Sequence, residues 1–417
     1  MQTRDKKIIW HPFTQEKSAQ PVIPISKASG SYLYDENGKK YLDLISSWWV
    51  NLHGHGNKEI AQSIYEQAIE LEHVIFAGFT HEPAIQLCEN LQEILPNSLC
   101  RFFFSDNGST AVEVALKMSY QYWHNINQNR HIFLSFEGGY HGDTFGAMAV
   151  GKQSGFHDVF CKLFCEVITI PYPHTWENDE TIEEREKQSL NILKQILKEN
   201  GKNIAAFILE PIIQGASGMR ICRVEFLQKV IACVREYNIL IIFDEVMTGF
   251  CRTGKYFAMD ICNIVPDFLC VSKGITGGFL PLSLTITHNE IFEVFLNDEW
   301  KYAFAHGHSY TANPIACRAA ITSLKILQSN TCQSSIKTIH NTHIKGLEYL
   351  GKYVLRKRMI GTIAAFDTKN KIAKEKFLSA GLLIRPLGNT IYILPPYSIT
   401  QDELEKAYEK ILSLLKE

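Results

Sequence analysis

No run of this 417-residue sequence is both long and apolar enough to cross a membrane. The uncharged stretch from Gly274 to Asn289 is broken by Gly277, Gly278 and Pro281 and carries several threonines. Excess charge is also missing. Its 42 basic and 44 acidic side chains leave a formal net charge of −2, so the chain lacks the basic field that nucleic-acid binding needs. No C-x-x-C pair occurs among the eleven cysteines, an odd set scattered from Cys88 to Cys332. The nearest two, Cys161 and Cys165, have no His or Cys partners at zinc spacing. Buried, reduced thiols in a reducing compartment are expected, and no metal site. There is no internal repeat and no low-complexity linker. The polar start, Met1 to Lys7, leads into Trp10-His11-Pro12-Phe13 and not into an apolar signal core, so the expectation is a soluble, cytoplasmic protein. With 46% hydrophobic and 21% charged residues, the composition excludes disorder and suits a two-domain enzyme.

Short apolar runs at 102–104, 131–136, 167–170, 204–209, 239–243, 268–271 and 282–286 alternate with helical patterns at 111–123, 181–198 and 224–237. Such near-continuous apolar strands predict a mostly parallel, seven-stranded sheet covered on both faces, an α/β architecture. This places a large domain at residues 53–311. Residues 1–52 and 312–417 are expected to form a smaller α+β domain together. Asp35-Glu36-Asn37-Gly38 reads as a hairpin turn. Beyond it come a long helical pattern from Ala316 towards Leu350, strands at 363–366, 382–385 and 391–394, and a last amphipathic helix at 402–415.

Four local features carry chemistry. Ile239 to Phe243 ends abruptly in Asp244-Glu245, at what should be the ligand-binding edge of the sheet. A carboxylate there suits the protonated ring nitrogen of a cofactor; taken alone, it is equally a solvated strand end. A second run delivers Lys273 followed by Gly274, and a lysine at a buried strand end shifts its pKa towards nucleophilic use. Asn107-Gly108-Ser109-Thr110 at a helix start forms an anion site, or simply a cap; it is neither a Walker loop nor G-x-G-x-x-G. Finally, Gly139-Tyr140-His141-Gly142 presents an aromatic that can stack on a flat ring or close the core. Phosphate site, stacking aromatic, carboxylate and lysine, in this order, point to pyridoxal phosphate.

The sequence resembles the class III aminotransferases of the fold type I pyridoxal-phosphate group over nearly its whole length. The resemblance rests on Asp106-Asn107-Gly108-Ser109, Gly139-Tyr140-His141-Gly142, Glu210-Pro211-Ile212-Ile213-Gln214, Asp244-Glu245-Val246-Met247-Thr248-Gly249-Phe250, Ser272-Lys273-Gly274 and His306-Gly307-His308-Ser309. Within the class it is nearest to the biotin-pathway members, which take S-adenosylmethionine as amino donor and 8-amino-7-oxononanoate as acceptor. Trp10-His11-Pro12-Phe13-Thr14, Ser46-Ser47-Trp48-Trp49, Tyr140-His141-Gly142-Asp143-Thr144-Phe145-Gly146 and Ile384-Arg385-Pro386-Leu387-Gly388 carry that finer likeness.

The resemblance implies Lys273 as the lysine that bonds the cofactor aldehyde and Asp244 as partner of the pyridine nitrogen. It implies Gly108 and Ser109 at the phosphate, Tyr140 over one ring face and Val246 against the other. His308 and Ser309 would reach the phosphate of a neighbouring subunit, which implies a homodimer. Phe13, Trp48, Trp49, Tyr140, Lys273, Gly307 and Arg385 match substrate-contacting positions, with Arg385 suited to the acceptor's carboxylate. Lys273, Asp244 and Tyr140 match the catalytic set. Phe13 departs from the tyrosine of some relatives, and Ser309 from a common threonine that keeps the hydroxyl. Lysine as donor, or another ω-amino acid reaction with pyruvate or 2-oxoglutarate, is the alternative. A non-catalytic cofactor carrier and a racemase on the same fold are further rivals; the presence of both Lys273 and Asp244 argues against the carrier.

Overall fold

The apolar runs become the seven strands of one sheet: β1 (Leu99–Ser105), β2 (Ile132–Phe136), β3 (Val167–Ile170), β4 (Ile204–Leu209), β5 (Leu240–Asp244), β6 (Phe268–Val271) and β7 (Ser283–His288). The computed structural model describes residues 1–151 and 158–416. Side by side, the strands run β1-β7-β6-β5-β4-β2-β3. Only β7 is reversed; it pairs antiparallel with β6 and with β1, and every other neighbouring pair is parallel.

Cover on both faces explains the unbroken apolar runs. Along β5, Ile241 and Phe243 join one core cluster while Leu240 and Ile242 join the other, the two-residue period of a strand. Helix α1 (Gly108–Asn125) covers the second face with Ala111, Val112 and Ala115, and helix α2 (Val224–Arg235) covers the first with Phe226, Leu227 and Val230. The Asn107 side chain accepts from Thr110 N at 3.1 Å, and Thr110 Oγ1 accepts from Asn107 N at 3.1 Å, so a capping box fixes where α1 begins. Because β1, β2, β4, β5 and β6 point the same way, the segments after them emerge at one edge. These are 106–109, 137–142, Glu210, 245–246 and 272–273. Open α/β sheets bind ligands at this edge.

The two ends of the chain meet in a second sheet. Strands Ile25–Ser29, Tyr32–Asp35 and Lys40–Asp43 form a meander, and Leu382–Leu383 adds in parallel with Leu382 opposite Leu42. The turn at Asp35 forms as read: Asp35 Oδ1 accepts from the backbone N of Asn37 and of Lys39, each at 2.9 Å. A three-stranded antiparallel sheet (Leu355–Ile360, Ile363–Asp367, Thr390–Ile393) and helices Pro314–Gln328, Asn330–Leu350 and Gln401–Lys416 complete the C-terminal part.

Three expectations need correction. Cys161 and Cys165, expected to be buried with the other thiols, are exposed. The pattern from Ala316 to Leu350 is two helices, because Ser329 is extended (φ −65°, ψ 145°) and its hydroxyl accepts from Cys332 N at 3.2 Å as a new cap. The strand expected at 382–385 stops at Leu383, since its partner strand ends at Asp43, opposite Leu383, and leaves no ladder to continue.

Beneath the sheet, Phe136 is 1% exposed, with its ring centre 5.1 Å from Tyr172 and 5.2 Å from Phe207. Phe136→Ala is expected to lower the unfolding free energy by about 3–5 kcal/mol. Urea denaturation reads this as an earlier midpoint at unchanged slope. A loss below about 1 kcal/mol would place the packed centre elsewhere.

Candidate active site

At the strand edge lies a cavity of about 680 Å³. Asp244, the last residue of β5, forms part of its wall and is buried. A buried carboxylate must be paired. Asp244 Oδ2 lies 2.7 Å from His141 Nδ1, and Oδ1 accepts from Val246 N at 3.0 Å. An ionised carboxylate has about four lone-pair sites, so Asp244 retains acceptor capacity towards the cavity. Glu245 beside it has another task. Its side chain accepts from Ala258 N (2.6 Å), Met259 N (2.8 Å) and Thr248 Oγ1 (2.9 Å), and burial pushes its pKa up to about 7.

Lys273 follows β6 in a left-handed conformation, φ 47°, and its Nζ lies 4.7 Å from the centre of the Trp49 ring. Burial lowers its pKa below the usual lysine range, while Asp244 and Glu210 oppose that shift. The result is an amine that gives up its proton more readily than an exposed lysine. Glu210 ties the loops together: Oε2 accepts from Tyr140 N (3.1 Å) and Oε1 from Gly215 N (2.9 Å). Burial raises its pKa to about 7, against the pull of His141. The Tyr140 hydroxyl donates to Asp143 Oδ2 at 2.9 Å, and burial raises its pKa first of all.

The start of α1 forms the other wall, with Gly108 and Ser109 lining the cavity. A Cβ on Gly108 would meet Val246 Cγ1 at 2.6 Å, so only glycine lets these two elements approach. Ser109 Oγ lies 2.7 Å from Thr144 Oγ1 and accepts from Thr144 N at 3.0 Å. Free N–H groups and the helix dipole make this end suited to an anion such as phosphate.

A second cavity, of about 1020 Å³, is lined by Phe13, Trp48 and Arg385 together with Ser47, Ile45 and much of the N-terminal segment. The Phe13 and Trp48 rings are 5.6 Å apart, and the Arg385 guanidinium sits 4.2 Å from the centre of the Trp48 ring. Ser46, Ser47, Trp48 and Trp49 all have positive φ (50°, 45°, 73° and 73°), four successive non-glycine residues in the left-handed region. That conformation costs about 1–2 kcal/mol per residue and persists only where surroundings enforce it. Trp48 thereby faces the second cavity while Trp49 lines the first, its indole N–H donating to Tyr392 Oη at 3.1 Å.

Of the residues singled out in the sequence, Gly108, Ser109, Tyr140, Asp244, Val246, Lys273 and Trp49 thus share one cavity, and Phe13, Trp48 and Arg385 share the other. Gly307, His308 and Ser309 line neither; Gly307 and Ser309 are exposed, and His308 Nε2 is 3.3 Å from His306 Nε2. His141, Glu210 and Thr144 also belong to the site, with no role legible in the sequence: they stand within its motifs, but nothing in one dimension shows that His141 reaches Asp244 across 103 positions.

A sheet edge that joins an anion cradle, a buried acceptor carboxylate and a lysine of lowered pKa defines the site of an enzyme built around a phosphorylated, ring-nitrogen cofactor. The residues fit pyridoxal phosphate, since each of its parts would meet matching chemistry: phosphate at Gly108 and Ser109, ring nitrogen at Asp244, aldehyde at Lys273. The family model of class-III aminotransferases matches residues 13–415. The chain is 48% identical to the adenosylmethionine-8-amino-7-oxononanoate aminotransferase of Synechococcus elongatus over 98% of each chain. It is 42% identical to the enzyme of that name from Helicobacter pylori, over 99% of this chain and 97% of the relative. The crystal structure of the same-named enzyme from Methanocaldococcus jannaschii superposes with a TM-score of 0.91 at 34% identity, covering 100% of this chain and 98% of that one. The chain belongs to the class-III aminotransferases.

Gly108→Ala is expected to weaken pyridoxal phosphate binding roughly tenfold or more, in line with an overpacking cost of about 1–3 kcal/mol. Absorbance titration of the cofactor-free protein measures it, and unchanged affinity would mean that the Gly108–Val246 approach does not shape the cradle.

Proposed function

We propose that this aminotransferase moves the amino group of S-adenosylmethionine to the 7-oxo carbon of 8-amino-7-oxononanoate, giving 7,8-diaminononanoate for biotin synthesis. The names of the relatives support the two substrates. The observation that carries the acceptor is Arg385. Its guanidinium lies over the Trp48 ring and makes no hydrogen bond or ion pair among the described residues, in a cavity that Phe13 and Trp48 also line and that shares the turn 46–49 with the cavity of Lys273. A long, mostly apolar chain ending in a carboxylate needs such a place, and the planar fork of arginine binds a carboxylate through two hydrogen bonds.

Pyridoxal phosphate, when bound, supplies an electron-accepting ring and an aldehyde carbon that can carry an amino group from one substrate to the other. The chain's residues do the rest. Asp244, fixed by His141 and Val246 N, would hold a proton on the pyridine nitrogen and so keep the ring electron-poor. Lys273 would hold the aldehyde end of the cofactor through its amine and would serve as the base that moves the proton at the substrate's reacting carbon; its lowered pKa suits both tasks. Tyr140, held at its backbone by Glu210, and Val246 line the cavity and would pack against the ring. Ser109 and the first N–H groups of α1 would hold the phosphate. Because donor and acceptor use one site in turn, the kinetics are ping-pong.

We further infer a cytoplasmic homodimer. His308 and Ser309 lie outside the chain's own cavities, which supports their acting on the phosphate of a second copy. No helix among the described residues is long and apolar enough to cross a membrane.

Arg385→Ala tests the acceptor. The KM for 8-amino-7-oxononanoate is expected to rise roughly tenfold or more, matching a lost charged hydrogen bond of about 1.5–3 kcal/mol. The cofactor absorbance change caused by S-adenosylmethionine alone should alter much less, since that donor has no distal carboxylate. Equal damage to both half-reactions would give Arg385 a general shaping role, and no effect on either would remove the carboxylate-bearing acceptor.

A further inference from the structure

We infer that Asp43, which lines neither cavity, is a positioning residue for acceptor recognition: it clamps the left-handed turn 46–49 and thereby sets where Trp48 stands. This inference rests on the acceptor reading above.

The turn is a local conflict with the preferences of its own residues, so something nearby must impose it. Asp43 ends a strand and its carboxylate is fully buried, yet among the described residues no Lys or Arg lies within ion-pair distance; the buried Arg252 acts on it only from farther away. Three donors from the following segment converge on it instead. Oδ1 accepts from Ile45 N at 3.1 Å, and Oδ2 accepts from Ser47 Oγ at 2.8 Å. His55 Nε2 is 2.9 Å from the same Oδ2, while His55 Nδ1 faces the amide nitrogen of Asn51 at 3.2 Å, so the ring hydrogen points to Asp43. The clamp therefore grips the residues before, within and after the turn.

Other contacts hold the far side. Ser46 Oγ donates to Leu394 O at 2.8 Å, and the buried Arg252 donates to Asn51 O at 2.9 Å and Pro395 O at 2.8 Å. They tie the turn to the body of the protein, whereas the Ser47 side chain, one residue before Trp48, is held by Asp43. Trp49 has its own anchor in Tyr392. Trp48 is 39% exposed, and among the described residues its ring meets the Phe13 ring and the Arg385 guanidinium and makes no side-chain hydrogen bond, so its place depends on the backbone beneath it. A shift there would move the aromatic surface on which Arg385 rests.

The test uses the holoenzyme. Asp43→Asn keeps the shape of the side chain, removes the charge and turns one acceptor into a donor. The KM for 8-amino-7-oxononanoate should rise roughly tenfold, with the absorbance response to S-adenosylmethionine alone changed by less than about threefold. Added to Trp48→Ala, Asp43→Asn should do little more harm, because residues that act as one unit are non-additive. Ser47→Ala, which removes a single donor, should shift the KM in the same direction by less, and it serves if Asp43→Asn does not fold. Near-ultraviolet circular dichroism needs no substrate: the band lost in Trp48→Phe should also be lost in Asp43→Asn. A retained band, an unchanged KM in the folded variant, or full additivity with Trp48→Ala overturns the positioning role. Absence of 8-amino-7-oxononanoate turnover by the unaltered enzyme would instead overturn the acceptor reading, and the dichroism result would still decide the role of Asp43.

Discussion

A carboxylate buried at the end of a strand is tenable only if it is paired, and the 2.7 Å contact between Asp244 and His141 meets that condition. Much of the site follows from it. His141 comes from the segment after β2 and Asp244 from the end of β5, two strands separated by β4. Glu210, which follows β4, accepts from the backbone of Tyr140 one residue before His141. Three strand ends are thus tied by two carboxylates, and the wall of the cavity is set by connections that span the sheet. Preorganised groups of this kind cost no rearrangement at the moment of reaction.

Two adjacent carboxylates divide the work because a strand alternates its sides. Asp244 lies along the cavity, and Glu245 turns away to hold the backbone at 258–259 beneath the cavity. A similar division occurs at the turn 46–49, where Trp48 and Trp49 enter different cavities. There the conformation is left-handed, and the side chains of Asp43, Ser46 and Arg252 supply the constraint.

The seven strands were legible because each is covered on both faces and so reads as an unbroken apolar run. Asp244 and Lys273 were legible because charge directly after such a run is conspicuous. The strand Leu355–Ile360 was not, since Arg356, Lys357 and Arg358 interrupt the pattern; Arg358 is nevertheless buried, donating to Met219 O at 2.9 Å and to Asp367 at 3.0 Å. The break at Ser329 was also missed, because apolar periodicity continues through it and only the cap hydrogen bond reveals two helices. Pairings such as His141 with Asp244 depend on strand order, which no local pattern carries. The separation of Trp48 from Tyr140 into two cavities depends on a backbone conformation that the residues themselves disfavour.

Amino transfer between two particular small molecules is the central claim, and one incubation tests it most directly. The purified protein, loaded with pyridoxal phosphate, is given 8-amino-7-oxononanoate with either S-adenosylmethionine or lysine, and 7,8-diaminononanoate is measured by mass spectrometry. Product that depends on the enzyme, on 8-amino-7-oxononanoate and on S-adenosylmethionine is the result this account predicts. Product with lysine but not with S-adenosylmethionine would contradict the donor, and no product with either would contradict the account itself.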